Sequence, residues 1–425
     1  MTRHGADAAT VAEMLTARVE ALVADLVRGD DAPAGAVVRL EVPAVGLAHA
    51  AAAGTARADT GEDLTVDHPF HVASVGKLCT AALVLQLAEG GRLGPAGVDV
   101  TLGELGVLEP ALIDRLLVRA GRSVGPTITV RQLLPHTSGL ADVHSDDADG
   151  TAEHHGRPAP GGLAADYWRA LRDRAAGRPH DPDLSTHRWR AWDPTRPDDE
   201  LAGTLNRYVA RLGAAPVAAP GERFHYSDSA YALLALLVER LGGESYHLAQ
   251  RRRLLEPLGL THTWQHGHEP PPPEVAHPEC DVWMGPIPVL STGANLTFDW
   301  GGGGQVSTVA DLCRLLDGLL AGRCFTDPAT VALMTDWVRP AGLTPPRVDI
   351  GLGPQRWAGP SGVPVVGHAG AWGTRLWRDT TTGATVAGTV NRRDDGAWAF
   401  ALLDEVRALL SDAALPAAHP PEGSA

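Results

Sequence analysis

The apolar positions of this chain fall into three regimes. The N-terminal stretch MTRHGADAATVAEMLTARVEALVADLV reads as an amphipathic helix. Two short apolar runs follow, GAVVRLEV (35–42) and VGLAHAAAAG (45–54), separated by a turn-like break, and they predict a hairpin. From Ser74 the chain turns helical. Leu78, Ala81, Ala82, Val84 and Leu85 cover most of that helix's circumference, which predicts a helix buried inside the protein, ended by Gly90 and Gly91.

The middle of the chain, about 93–289, is helical where it is periodic, as in YALLALLVERLGG (231–243). It holds a long polar segment, about 144–200, rich in His, Asp, Arg and Pro, of the kind that forms a functional lid. From about 300 the pattern changes. GGGGQVSTVADLCRLLDGLLAG predicts a glycine turn and then a helix capped by Ser307 or Thr308. DIGLGPQRW, VPVVGHAG and WGTRLWRDTTTGATVAGTVN alternate around glycine turns like antiparallel strands, and a last helix is expected near 395–410. The fold class expected is α+β: an antiparallel sheet flanked by helices, with an inserted, mainly helical domain. Residues 1–92 and 290–412 would make the sheet domain, 93–289 the insertion with its lid-like 144–200 segment, and 413–425 a flexible tail.

Composition narrows the function. A 44% hydrophobic fraction over 425 residues suits an enzyme-sized globular protein. The formal charge of −15 argues against nucleic acid or an anionic membrane as partner. Cys79, Cys280, Cys313 and Cys324 have no metal-ligand spacing and read as buried thiols in a reducing compartment. His154 and His155 beside Glu153 lack further ligands at a fixed spacing, so they read as a solvated loop; no metal and no cofactor are expected. The N-terminus lacks the apolar core of a signal peptide, and a cytoplasmic location is expected.

One position stands out chemically. Lys77 is the sole lysine, so 35 of the 36 Lys plus Arg residues are arginine. Ala, Gly, Pro and Arg are abundant, and a GC-rich genome explains the scarcity of lysine but not the place of the exception. Ser74 lies three residues before it, on the same helical face and near a helix start, where free N–H groups and the positive dipole end favour a developing oxyanion. A serine nucleophile needs a neighbouring base. Buried lysine can serve, because burial lowers its pKa from about 10.4, whereas arginine stays protonated.

Two further segments, PGERFHYSDSAYALLALL (220 to 237 in the numbering) and VVGHAGAWG (365–373), with VRQLLPHTSGL (130–140), complete a set. The chain resembles the penicillin-recognising serine hydrolases, the branch of class C β-lactamases, D-alanyl-D-alanine carboxypeptidases, family VIII esterases and related acyltransferases. The S-x-x-K motif is Ser74-Val75-Gly76-Lys77, the Tyr-x-Asn motif is Tyr226-Ser227-Asp228, and the Lys-Thr-Gly motif is His368-Ala369-Gly370. LLPHTSGL, LLEPLGLTHT and GGGGQVSTVADL support it, in the family's order over about residues 10–410. The resemblance implies a β-lactamase/transpeptidase-like fold and a covalent acyl-enzyme. It implies that Ser74 attacks a carbonyl, that Lys77 and Tyr226 share the proton traffic, and that the N–H groups of Ser74 and Ala371 form the oxyanion hole. Asp228, His368, Gly370 and Trp372 would contact substrate. His136 reads as a packing and turn residue.

The sequence departs from that pattern twice. Asp228 replaces asparagine, which should raise the Lys77 pKa, shift the base role toward Tyr226 and favour a substrate bearing an amine or other donor. His368 replaces lysine, a weaker grip on a substrate carboxylate and a replacement common among the family's esterases, amidases and acyltransferases. The expectation is a cytoplasmic hydrolase or acyltransferase acting on an ester, thioester or activated amide, with water, an amine or an alcohol as acceptor. Tailoring of a secondary metabolite is a context suggested by analogy. A D-amino-acid-specific peptidase or weak β-lactamase is the alternative enzyme, and a ligand-binding sensor the alternative outside catalysis.

Overall fold

The computed structural model describes residues 6–142, 146, 163–179, 217–294, 296–393 and 396–415. Most of the lid-like 144–200 segment, including His154, His155, Trp189 and Trp192, lies outside the described residues, as do the last ten residues of the expected tail, 416–425.

The two ends of the chain meet in one sheet. The expected hairpin is present as β1 (Gly35–Val42) and β2 (Leu47–Gly54). β1 pairs on its other side with β7 (Thr385–Thr389), and β6 (Arg375–Asp379), β5 (Pro364–Ala369), β4 (Gln355–Ala358) and β3 (Arg347–Ile350) follow outward. The order is β3-β4-β5-β6-β7-β1-β2, antiparallel at every step. The fold is therefore α+β, and the glycine-punctuated alternation near the C-terminus is its signature.

Strand side chains alternate between faces, and the two faces bury different helices. Ala36, Val38, Leu40 and Val42 of β1 pack with Trp377, Val386 and Val365 against α1 (Ala8–Leu26) and α5 (Ala397–Asp412). α1 presents Val11, Leu15, Val19, Leu22 and Val23, the i, i+4, i+8 stripe of an amphipathic helix. The opposite face, with Val37, Leu376 and Ala387, joins a larger core built on α2 (Lys77–Glu89), α3 (Asp228–Gly242) and α4 (Val309–Leu320). Of the two candidate caps for α4, Thr308 is the one used, its hydroxyl accepting the Asp311 N–H.

α2 is the buried helix that its all-round apolarity predicts: Leu78, Ala81, Ala82, Leu83, Val84, Leu85 and Leu87 are inaccessible on every side, and Gly90 caps it. Each such leucine contributes about 1.5–3 kcal/mol by burial. Its fully buried hydroxyl, Thr80, is satisfied by the Gly301 carbonyl and the Tyr246 hydroxyl, and the part-buried Gln86 amide donates to the Arg253 and Cys324 carbonyls. Three cysteines are buried as expected, but Cys324 is half-buried, because it lies in the turn after α4. Among the described residues no helix is long and apolar enough to cross a membrane.

Candidate active site

The segment that carries Ser74 is held in an unusual backbone. A short strand, Phe70–His71, leads into a 3-10 turn, Ala73–Gly76, and α2 starts only at Lys77. Ser74 thus stands in the turn ahead of the helix rather than on its first α-helical turn. Ala73 has φ 48°, in the left-handed region, which costs a non-glycine residue on the order of 1–3 kcal/mol and recurs at functional sites. The end of β5 closes over this turn. A Cβ at Gly370 would lie 2.4 Å from the Val72 carbonyl oxygen and 3.2 Å from the Ala73 Cβ, so only glycine admits the approach. Ala371, exposed, and Trp372, half-buried, follow directly after this contact.

Lys77 is fully buried, and all three of its ammonium protons are used. Nζ donates to Ser74 Oγ at 3.0 Å, to the Gly302 carbonyl at 2.7 Å and to Asp228 Oδ1 in a short ion pair. Asp299 is also close: a Cβ at Gly302 would lie 2.9 Å from Asp228 Oδ1, 3.1 Å from Asp299 Oδ1 and 3.5 Å from Lys77 Nζ. Burial by itself pulls the lysine pKa down. The charges of Asp228, Tyr226 and Asp299 outweigh it, and the amine is held well above its ordinary value. Burial alone would ready Lys77 to act as a base; with Asp228 beside it the shift runs the other way, toward the charged form. The direction of the shift is the one expected of a carboxylate at Asp228.

Tyr226 is delivered by the turn ahead of α3, and the HTSGL segment builds that turn. His136, at φ 58°, stacks its ring on Tyr226 at 4.2 Å between centroids and accepts the Ser227 N–H on Nδ1 at 3.1 Å. Ser227 Oγ donates to the Ala141 carbonyl and caps α3, and the Asp228 N–H donates to Asp142 Oδ1 at 3.0 Å. The packing role read for His136 is what it does. The Tyr226 ring lies 5.0 Å from Lys77 Nζ. Its hydroxyl is buried and makes no hydrogen bond of good geometry among the described residues. Burial pushes its pKa up to about 12, with Lys77 opposing and Asp228 reinforcing the rise.

His368 occupies its motif position on β5 but does not face outward. Nδ1 donates to the Ala369 carbonyl at 2.8 Å, which leaves Nε2 to accept from the Gln355 amide at 3.1 Å. Burial, then the Lys77 charge, lowers its pKa to about 3. It is a neutral ring with both nitrogens committed, so the structure gives it no free atom for a substrate carboxylate. Gln355 in turn accepts from Trp357 Nε1 at 2.7 Å and Arg347 Nε at 3.2 Å.

A family model described as Beta-lactamase matches residues 22–408. The chain belongs to the Beta-lactamase family. Its members are serine hydrolases, and the enzyme class follows from membership. Solved structures with the same fold include a D-amino acid amidase from Ochrobactrum anthropi (TM-score 0.64, 20% identity, covering 95% of this chain and 98% of that one). A D-stereospecific amidohydrolase from Streptomyces sp. has a TM-score of 0.61 and 24% identity over 93% of this chain and 98% of that one. An octameric penicillin-binding protein homologue from Pyrococcus abyssi has a TM-score of 0.61 and 19% identity over 93% of this chain and 77% of that one.

Within this Beta-lactamase-family site the cation that His368 lacks is present elsewhere. Arg347, on β3, places its guanidinium 5.0 Å from the Trp357 ring, 5.6 Å from Phe224 and 5.8 Å from Tyr226. Among the described residues it has no carboxylate partner, and its surroundings lower its pKa through burial. Sequence reasoning missed Arg347, Gln355 and Asp299. None belongs to a motif, and strand pairing or loop packing brings each to the site.

The Lys77–Asp228 pair sets a stability test. Lys77→Met should cost about 3–5 kcal/mol in urea denaturation, because it removes the cation that faces the part-buried Asp228 carboxylate. Lys77→Met with Asp228→Leu should recover most of that loss. Equal losses in the single and double variants would contradict the pairing.

Proposed function

We propose that this Beta-lactamase-family protein is an acyl-enzyme hydrolase or acyltransferase with Ser74 as nucleophile and Tyr226, rather than Lys77, as the proton acceptor. The observation that carries the reading is the triple coordination of Lys77, whose ammonium donates to Ser74 Oγ and has no lone pair to offer. In this scheme the Tyr226 phenolate takes the Ser74 proton as Oγ attacks an ester, thioester or activated amide carbonyl. The Lys77 ammonium steadies the Tyr226 phenolate before the transfer and the charge developing on Ser74 Oγ during it, without changing its own charge. The backbone N–H groups of Ser74 and Ala371 hold the tetrahedral oxyanion. The Tyr226 hydroxyl then returns its proton to the leaving group, and the regenerated phenolate activates water, an amine or an alcohol against the acyl-enzyme.

Arg347 supports a substrate class. A guanidinium that donates Nε to Gln355, has no carboxylate partner among the described residues and sits in a box of aromatic side chains beside Tyr226 suits a carboxylate on the acyl donor or acceptor. A second reading, hydrolysis of D-amino acid amides, is favoured by the likeness to two D-specific amide hydrolases and by the carboxylates Asp228 and Asp299, which suit an ammonium group on the substrate.

A substrate panel separates these readings. p-Nitrophenyl esters with and without a carboxylate, D- and L-amino acid amides and nitrocefin are offered with and without an amine, and intact mass is followed. The expected result is a mass adduct on the wild type that Ser74→Ala lacks, and a KM for carboxylate-bearing esters that Arg347→Met raises about tenfold while neutral esters are unaffected. Turnover of D-amino acid amides alone selects the second reading, and silence across the panel removes both.

The acid–base assignment predicts a pH profile. With the Tyr226 pKa near 12, log kcat/KM for acylation should climb by about one unit per pH unit from neutrality to at least pH 10. Asp228→Asn removes a charge that raises both the Tyr226 and Lys77 pKa values, so this limb should move to lower pH. A plateau below pH 8, or a limb that Asp228→Asn leaves in place, would contradict the assignment.

A further inference from the structure

Outside the Ser74 site, two clusters set two imidazoles around one carboxylate: Glu62, His68 and His277, and His71, His266 and Glu279. They are not equivalent. In the first, His68 Nδ1 accepts the Thr65 backbone N–H at 3.0 Å, which fixes the ring proton on Nε2, where it points at Glu62 Oε1 at 3.1 Å. A ring in that tautomer has no lone pair to give inward. The first cluster is a hydrogen-bonded brace.

The second cluster is free of that restriction. His71 Nε2 lies 3.0 Å and His266 Nδ1 2.8 Å from the same oxygen, Glu279 Oε2. The outward nitrogen of His266, Nε2, is buried and has no hydrogen-bond partner among the described residues, and no partner there fixes the outward Nδ1 of His71. Both rings can therefore carry their proton outward and turn a lone pair toward the carboxylate.

Three separate segments hold these side chains in place. His71 ends one edge strand of the small sheet Phe70–His71, Gln305–Ser307 and Trp264–Gln265, and His266 follows the other edge strand, its N–H bonded to the Gly304 carbonyl at 2.9 Å. Glu279 precedes Cys280, whose N–H bonds the Pro69 carbonyl at 2.8 Å. The two rings meet edge to face at 4.6 Å, and His71 is only 2% exposed.

We propose that His71 Nε2, His266 Nδ1 and the Glu279 carboxylate bind a zinc ion. Two imidazoles and a carboxylate are a zinc donor set, with bonds of about 2.0–2.2 Å that put tetrahedral ligand atoms about 3.3 Å apart. The two distances to Glu279 Oε2 need to open by only a few tenths of an ångström, and all three ligand atoms lie within 4.8 Å of one another. On binding, each ring proton moves from the inward to the outward nitrogen, and Glu279 is already the anion that accepts both N–H groups. A water would complete the tetrahedron. The ion would tie His71, three residues ahead of Ser74, to the 264–281 segment, as a structural clamp beneath the site. The three positions share no sequence spacing, which is why no metal is expected from the sequence.

The test uses the full chain, stripped with a chelator, incubated with a small excess of zinc sulfate and desalted. Metal is counted by mass spectrometry and melting is followed by circular dichroism. The expected result is one zinc per chain and a Tm raised by several degrees. His266→Ala and Glu279→Gln should each abolish both effects, while His277→Ala, in the neighbouring cluster, and Ser74→Ala should retain them. His266 is part-exposed, so its variant reads out binding even where Glu279→Gln fails to fold. Failure of the wild type to retain zinc, or retention that survives His266→Ala, would overturn the proposal.

Discussion

Everything at this site depends on a cation that has been taken out of water. Lys77 sits at the first turn of a helix buried on all sides, and a charge there persists only with full compensation. Asp228 supplies the opposite charge, and Gly302 and Ser74 supply the two remaining acceptors. The requirement ties three parts of the chain together: the turn before α2, the start of α3 and the glycine run at 301–304. Loosening any one of them leaves an ionised group stranded in the core.

The same pair redistributes the chemistry of its surroundings. A carboxylate beside Lys77 raises the lysine pKa, and the fixed ammonium then helps to keep His368 neutral while drawing the Tyr226 phenol down from where burial alone would put it. Neutral His368 spends both nitrogens in a chain from Gln355 to Ala369. Arg347, one strand beyond Gln355 and bonded to it through Nε, is a cation at the site without a carboxylate partner among the described residues. By linkage the sign is plain: a lysine pKa raised on folding contributes stability that is complete below the unfolded value of about 10.4 and is lost only as pH rises through the folded one.

Much of this was legible in the sequence where the signal is local. The hairpin, the apolar circumference of α2 and the serine one helical turn before the lone lysine are all short-range patterns, and each appears in the structure. Asp228 was visible as a departure within a motif, and its effect on Lys77 follows from charge alone. Arg347, Gln355 and Asp299 were not legible, because β3–β4–β5 pairing and the loop before Gly301 bring them in from outside any motif. The sign of the Lys77 shift was read both ways, since a residue list names burial and the neighbouring charge without weighing one against the other. His368 was read as a weak grip on substrate because its motif position says nothing of Gln355, which reaches it across a strand pair.

Because Lys77 is the sole lysine, its charge can be read directly. A sample labelled with 13C at lysine Cε gives one resonance, whose shift reports the amine through a pH titration. The account predicts that this signal keeps its ammonium position past pH 10.5, the ordinary lysine range, until the protein itself unfolds, and that Asp228→Asn brings the titration to lower pH. A midpoint below pH 9 in the wild type would mean that Lys77 is available as a base, and would contradict the account.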